Sequence, residues 1–542
     1  MSDHLHPSLR RSSLSSRVAV GAALAVLLLV GCSTGGDVTG TAAPATPPAG
    51  ANAQDGPPAG ASGGNAPAGA VEREVVADRD ALPATASLTL NRLGDHHLVA
   101  AVRFTSEEAT GPWDSNLFGF TSFATPGSEY PQEALNGLFW IGPEGRSAHL
   151  TYFTEDRSCL CTTFEDSHGW GITREQPVTA AAVLPAPPEG VTELTVFSPF
   201  SLPFVDVPIG DQAPDLAAYG ITHPDQAPAA TPEVFPLLGS STLADGSETV
   251  RENADTTDVE LSADVLFALN ESTLTPAADE VLARTARRLD ADGGTHVEIA
   301  GHTDSSGNDA INQPLSERRA ETVRAALAQR VGTGVTFTTA GYGSTRPIAD
   351  NSTPEGARQN RRVTVSFPRP TDTEQSPPTS APAAPGAAGA GRPMTEFHAT
   401  VTGAPDYPDA KAELNGLGLE RIAEDVVLLS YTMTNLRDST EDLSPFWTAP
   451  STTALSSLGG TTATDPATGR IYQTMNVDRA AVVREGSYHL HCACTITSAG
   501  AMFVPYQETG TLFALLPVPD SVSVLDVNIG SDLVFQGARI TG

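Results

Sequence analysis

Lysine is nearly missing from this chain of 542 residues: of its 31 Lys and Arg residues, only Lys411 is a lysine. Against 64 acids this leaves a formal net charge of -33, a balance that favours solubility and argues against a nucleic-acid partner, whose phosphates it would repel. Long apolar runs are scarce as well. The run at 18–30 is short for a membrane span, and no other stretch is long enough to make one. The zinc-protease signature His-Glu-x-x-His and a glycine-rich phosphate loop are both missing, and the carboxylates are scattered as on any acidic surface. No catalytic residue, metal or cofactor is expected on these grounds. Cysteine is limited to Cys32, Cys159, Cys161, Cys492 and Cys494.

What is present begins with a targeting segment. Arg10, Arg11 and Arg17 precede the apolar run, which ends Leu29-Val30-Gly31-Cys32 and continues Ser33-Thr34. Residues 1–31 read as a lipoprotein signal peptide with a lipobox, and Cys32 as the lipidated residue; an ordinary signal peptide with an incidental cysteine is the bland reading. Acyl chains on Cys32, at about 0.8 kcal/mol per buried methylene, would hold the chain on the extracytoplasmic side of a membrane, the outer membrane if one is present. Residues 32–86 are rich in Gly, Ala, Pro and Thr, cannot bury enough surface to offset chain entropy, and are expected to form a disordered tether. At ~3 Å per residue that tether would reach roughly 150 Å.

Short apolar and alternating runs separated by Gly, Pro, Asn and Asp fill 87–210 and 395–542, which read as two all-β, sandwich-like domains. The two look like repeats. Leu90-Asn91-Arg92-Leu93-Gly94 echoes Leu414-Asn415-Gly416-Leu417-Gly418, and Gly145-Arg146 echoes Gly469-Arg470. Cys159-Leu160-Cys161 echoes Cys492-Ala493-Cys494, and Leu184-Pro185-Ala186-Pro187 echoes Leu516-Pro517-Val518-Pro519. Val205-Asp206-Val207-Pro208-Ile209-Gly210 pairs with Leu525-Asp526-Val527-Asn528-Ile529-Gly530. Outside the cytoplasm the four cysteines of these repeats should be oxidised. A bridge between residues i and i+2 needs a bend in the strand, and a bridge between repeats needs the two copies to dock; both pairings stay open. His489 and His491 would face away from Cys492 and Cys494 on a strand, so a metal site is disfavoured. Segments 211–257 and 370–394, rich in Pro, Ala, Thr and acids, read as linkers, although Phe235-Pro236-Leu237-Leu238 could pack on a neighbour.

Between the linkers, 258–369 holds 15 acids and 12 arginines, a net of -3, so the acidity lies almost wholly elsewhere. Helical spacing of Val281, Leu282, Ala286 and Leu289 predicts a helix over 276–291, and Val323, Leu327 and Val331 predict another over 315–331. Strands are expected at 260–266, 296–301, 336–341 and 362–367. This alternation implies a two-layer α+β sandwich. Asp304 follows the strand at 296–301, and Arg319 lies fifteen residues later on a helix. Such a pair can hold a zwitterion, the carboxylate gripping an ammonium and the guanidinium forking onto a carboxylate. Taken singly, Asp304 reads as a turn cap and Arg319 as a surface ion-pair partner.

The pattern is more specific as a whole. Phe267 with Asn270, Gly301-His302-Thr303-Asp304, Asn312-x-x-Leu315-Ser316-x-x-Arg319-Ala320-x-x-Val323, Gly341-Tyr342-Gly343, Arg346-Pro347 and Asn360-Arg361-Arg362-Val363 follow one another. Over roughly 259–367 this resembles the OmpA C-terminal-like domain, the peptidoglycan-binding module of outer-membrane porins, Pal lipoproteins and flagellar stator proteins. The resemblance implies that Asp304 and Arg319 bind the diamino acid of the peptidoglycan stem. Thr303, Asn312, Leu315 and Arg362 would shape or support the pocket, with Leu269 and Asn270 on its other wall. One departure is Asn270, where many members carry Asp. A stem lacking the side-chain carboxylate would leave the guanidinium unmatched, so meso-diaminopimelate is the expected ligand.

The chain is therefore expected to be a multi-domain cell-envelope lipoprotein. Its OmpA-like module would bind peptidoglycan and tether a membrane, or the flanking β domains and their unidentified envelope partners, to the wall. The alternative is an envelope enzyme or regulator of wall metabolism in which the module only localises a β-domain activity. A stator-like channel subunit is disfavoured by the lipobox.

Overall fold

Alternating burial along short strands builds most of this protein, seen here in a computed structural model. It describes residues 68–76, 83–106, 132–133, 135, 137–152, 159–164, 176–198, 201–212, 214–221, 234–253, 255–291, 293, 295–369, 395–402, 411–436, 454–455, 461–478, 490–494, 509–529 and 532–542, all within the unit 56–542. The signal peptide, Cys32, the expected tether apart from 68–76 and 83–86, the 370–394 linker and His489 lie outside the described residues. Among the described residues no helix is long and apolar enough to cross a membrane.

The first flanking region comprises β1 (Val71–Val76), β2 (Pro83–Leu93), β3 (His97–Thr105), β4 (Phe139–Ile141), β5 (Ser147–Leu150), β6 (Val178–Pro185), β7 (Glu193–Ser198) and β8 (Ser201–Gly210). Strands β1, β2, β3 and β6 form an antiparallel sheet in that order. A second layer runs β8–β7–β4–β5. Leu88, Leu90, Leu98, Val102, Phe104, Trp140, Val196 and Phe204 close the core between them. The region thus starts at Val71, inside the expected tether, because Val71 and Val75 pack on or in that core.

The central module comprises β9 (Val234–Leu243), β10 (Glu248–Glu252), β11 (Thr256–Ser262), α1 (Ala263–Leu266), α2 (Ala278–Ala291), β12 (His296–Gly301), α3 (Asp309–Leu327), β13 (Thr336–Gly341), α4 (Pro354–Asn360) and β14 (Arg362–Pro368). Its sheet is ordered β10–β11–β14–β12–β13, all antiparallel except the last pair. Helices α2 and α3 bury Val281, Leu282, Leu289, Val323 and Leu327 against Val259, Leu261, Val297, Ile299, Val363 and Val365. Helix α3 starts at Asp309, six residues before the expected start, because the Asn308 side chain caps it by accepting from Ile311 N–H at 3.2 Å. The strand expected at 260–266 ends at Ser262, and α1 takes over its last residues.

The second flanking region comprises β15 (Thr395–Thr402), β16 (Lys411–Ala423), β17 (Val426–Asn435), β18 (Thr461–Asp465), β19 (Arg470–Gln473), β20 (Asn476–Asp478), β21 (Thr509–Pro517), β22 (Val524–Ile529) and β23 (Asp532–Arg539). It repeats the first: β15–β16–β17–β21 matches β1–β2–β3–β6, and β23–β22–β18–β19 matches β8–β7–β4–β5. The cysteine landmarks match bond for bond. Leu160 N–H donates to Tyr152 O (2.8 Å) and Val183 N–H to Leu160 O (2.9 Å), as Ala493 N–H does to Met475 O (2.9 Å) and Leu515 N–H to Ala493 O (3.1 Å). Two sequence echoes are out of register. Arg92 grips the Pro187, Pro188 and Val191 carbonyls as Arg421 grips those of Val518, Pro519 and Val522, so Leu90 matches Leu419 rather than Leu414. Ile209 N–H donates to Thr192 O as Ile540 N–H does to Ser523 O, so 205–210 corresponds to β23 and not to β22. Short apolar motifs recur in any β protein, whereas a shared set of backbone partners fixes the register.

Cys159 and Cys161 form a local disulfide, with Cα atoms 5.2 Å apart and a bend at Leu160. Cys494 is also disulfide-bonded, while the Cys492 side chain is outside the described residues.

Within the segment 211–257, expected as a linker, the residues from Val234 on are the joint between the flanking regions and the module. Strand β9 pairs through Val234–Pro236 with β5, through Leu237 and Leu238 with β20, and through 241–243 with β19; its 239–242 stretch also pairs with β10. An unbroken ladder therefore runs β23–β22–β18–β19–β9–β10–β11–β14–β12–β13. Phe235 and Leu237 insert into a core with Phe139, Leu150 and Phe197 of the first region and Leu428, Met475, Phe513 and Leu515 of the second. Its 239–242 stretch is Gly-Ser-Ser-Thr, whose polarity masks a strand flanked on both sides. At the module boundary Glu248, 3% exposed, pairs with Arg470 of β19 and, at 3.5 Å, with Arg284 of α2.

Candidate functional site

Two glycines let α3 lie close on the ends of β12 and β13. A Cβ at Gly301 would stand 2.1 Å from Ser316 O, and one at Gly341 2.5 Å from Glu317 N, so only glycine permits this approach. The contact brings the loop after β12 against α3. Thr303 N–H donates to Gly343 O (2.9 Å), Thr303 Oγ1 donates to Asp304 O (2.9 Å), and Asn312 Nδ2 donates to Ser306 O (2.9 Å) and Asp304 O (3.5 Å). Thr303 and Asn312 are thus buried supports of the Asp304 loop, and Leu315, 5% exposed, is buried on α3 itself.

Asp304 is 8% exposed. Its Oδ1 accepts from Ser306 N–H (2.9 Å) and from the Ser306 hydroxyl, and its Oδ2 from Arg361 Nη1 (2.8 Å). Burial alone would raise its pKa, but the Ser306 and Arg361 hydrogen bonds outweigh it and hold the carboxyl below the usual range. Asp304 is therefore a carboxylate at neutral pH.

Arg319, 6% exposed, lies on α3 with its guanidinium over the Phe267 ring, 5.1 Å from the centroid. Its Nε donates to Glu271 O at 2.9 Å, and among the described residues no carboxylate lies within ion-pair distance of it. Burial lowers its pKa, although Asp264 and, more weakly, Asp304 offset this. A buried cation whose two terminal nitrogens have no acidic partner is poised to receive an anion.

Sequence reasoning missed Asp264 and Arg361. Arg361 donates from Nε and Nη2 to the two oxygens of Asp264 (2.9 and 2.6 Å) and from Nη1 to Asp304. Arg362, named for the pocket instead, lies on the first residue of β14 and turns its terminal nitrogens toward Arg346 O (3.4 Å). Successive residues at a strand start face opposite sides, so the Arg361-Arg362 pair could not be apportioned from sequence. Leu269 (86% exposed) and Asn270 (φ 60°) are exposed on the turn that leads to Glu271; asparagine tolerates that left-handed conformation well.

The site thus gathers two carboxylates and two guanidiniums, with Arg361 saturated and Arg319 open. Comparison with known proteins bears on the same residues. The OmpA family model matches 266–361, which contains Asp304, Arg319 and Arg361. Peptidoglycan-binding protein ArfA of Mycobacterium tuberculosis is 43% identical over 101 residues, 19% of this chain and 31% of that protein. The chain therefore spans about a third of that relative. Putative lipoprotein YfiB of Escherichia coli is 38% identical over 122 residues, 22% of this chain and 75% of that protein. The solved cell wall anchor of the T6SS from Pseudomonas aeruginosa is 29% identical with a TM-score of 0.22, covering 23% of this chain and 89% of that one. Since the Escherichia coli relative is 38% identical and covered over 75% of its length, the chain belongs to the OmpA family through its central module.

Proposed function

We propose that the central module binds peptidoglycan non-covalently, with Asp304 taking the ammonium and Arg319 the carboxylate of a stem diamino acid, meso-diaminopimelate. The observation that carries this reading is the buried Arg319 guanidinium, fixed at Nε and on Phe267 while among the described residues no acid pairs with its terminal nitrogens. The similarity to the mycobacterial peptidoglycan-binding protein supports peptidoglycan as the ligand. Lipidation at Cys32 would anchor the other end of the chain in a membrane, so that the protein tethers membrane and wall with the flanking β-regions held beside the module. The test is co-sedimentation of the chain with purified diaminopimelate-type sacculi, comparing wild type with Asp304→Ala and Arg319→Ala. Pelleting of the wild type and its loss in both variants, with unchanged circular dichroism, is the expected result; equal pelleting of all three contradicts the reading.

A further inference from the structure

Arg361 is a second cation beside Asp304, and its other contacts set how it is held there. The Ala263 N–H donates to Arg361 O at 3.0 Å, which sets α1 against the start of β14. One residue further, Asp264 takes Arg361 Nε and Nη2 on its two oxygens at 2.9 and 2.6 Å, leaving Nη1 for Asp304. All three guanidinium nitrogens of Arg361 are thereby bound to carboxylates. Burial lowers the Arg319 pKa, and of the neighbouring carboxylates Asp264 offsets this more than Asp304 does.

We propose that Asp264 is a positioning residue for ligand recognition, holding Arg361 edge-on so that it orients Asp304 without closing over it and stays off the ligand. This rests on the reading of Asp304 and Arg319 as the ligand pair. With Asp264, Asp304, Arg319 and Arg361 all charged the cluster is neutral, matched to a centre carrying one ammonium and one carboxylate. Without Asp264, Arg361 turns two nitrogens onto Asp304 and displaces the ligand ammonium, and the cluster gains a positive charge that repels cationic ligands. A surface ion pair of no consequence would do neither, since exposed pairs contribute about 0–1 kcal/mol.

The experiment is calorimetric titration of the full chain in mild detergent with two stem peptides. One carries meso-diaminopimelate with its free side-chain carboxylate, and the other the same residue amidated and therefore cationic at that centre. Asp264→Asn should weaken the free-carboxylate stem about tenfold and the amidated stem more, widening the preference between them, with Asp264→Glu restoring both toward wild type. Asp264→Asn binding both stems like wild type, or weakening both equally without rescue by Glu, overturns the proposal. Arg319→Ala is titrated in parallel; if it binds like wild type, the ligand pair itself is misassigned, a failure distinct from that of Asp264 alone.

Discussion

The central module buries Asp304, Asn312, Arg319 and Arg362 to 8% exposure or less, whereas the core that β9 shares with the flanking regions is Phe139, Phe197, Phe235, Leu237, Phe513 and Leu515. Hydrocarbon burial stabilises at about 25 cal/mol per Å², while a buried cation without an acidic partner costs stability. A module kept only as a spacer would gain by losing Arg319. The flanking regions show the complementary economy. Their matching sheets each have an outer apolar face, and the two faces are covered differently. Leu216 and Ile221 cover Val99, Ala181 and Val183 in the first region; in the second, the first region and β9 cover Val426, Leu428, Phe513 and Leu515. The asymmetry between the copies is what docks them together, and β9 continues that docking into the module's own sheet.

If this division holds, function and stability should separate by region. The largest effect is on binding: Arg319→Ala or Asp304→Ala should weaken wall binding about 100-fold, on the order of 3 kcal/mol, while a thermal melt stays close to wild type. Leu237→Ala should do the reverse, costing about 2–5 kcal/mol in denaturant titration, because the cavity opens in a core shared by both flanking regions, while wall binding persists below the melt.

Acid should strain each region through one histidine. His149, stacked on Trp140 at 3.6 Å, and His302, stacked on Tyr342 at 5.4 Å, both bury an Nδ1 without a partner. Burial pushes each down to about 4, helped at His302 by Arg362 and Arg346. Below the ordinary value of 6.5 the unfolded chain takes up protons that the folded chain refuses. Stability should therefore be full above pH 6.5 and decline as pH falls toward 4, by roughly 3 kcal/mol per histidine at most. Denaturation at several pH values with His149→Phe and with His302→Phe assigns the loss to one region or the other. The smallest effect belongs to an ion pair within the module: Arg288→Ala, which breaks the 2.7 Å pair with Glu252, should cost about 1 kcal/mol and leave binding untouched.

Much of the module was legible because its chemistry is local. The Gly301-to-Asp304 turn, the α3 face carrying Arg319 and the strands at 296–301 and 336–341 lie within contiguous stretches whose spacing states their geometry. What stayed hidden is non-local. Strand β9 looks like linker because two of its five buried positions are Gly239 and Ser241, and only partners far away in sequence make it a strand. Asp264 was unreadable because its role depends on Arg361, 97 residues later. The false echo at Leu414 shows the same limit: the matching hydrogen bonds of Arg92 and Arg421 reveal a register that similar letters obscured.

The most direct measurement is displacement of wild-type chain already bound to diaminopimelate-type sacculi, using soluble stem peptides. A stem ending in meso-diaminopimelate should release the chain, and a lysine stem, which has the amine but no second carboxylate for Arg319, should leave it in the pellet. Equal release by the two stems, or by neither, would contradict recognition through Asp304 and Arg319.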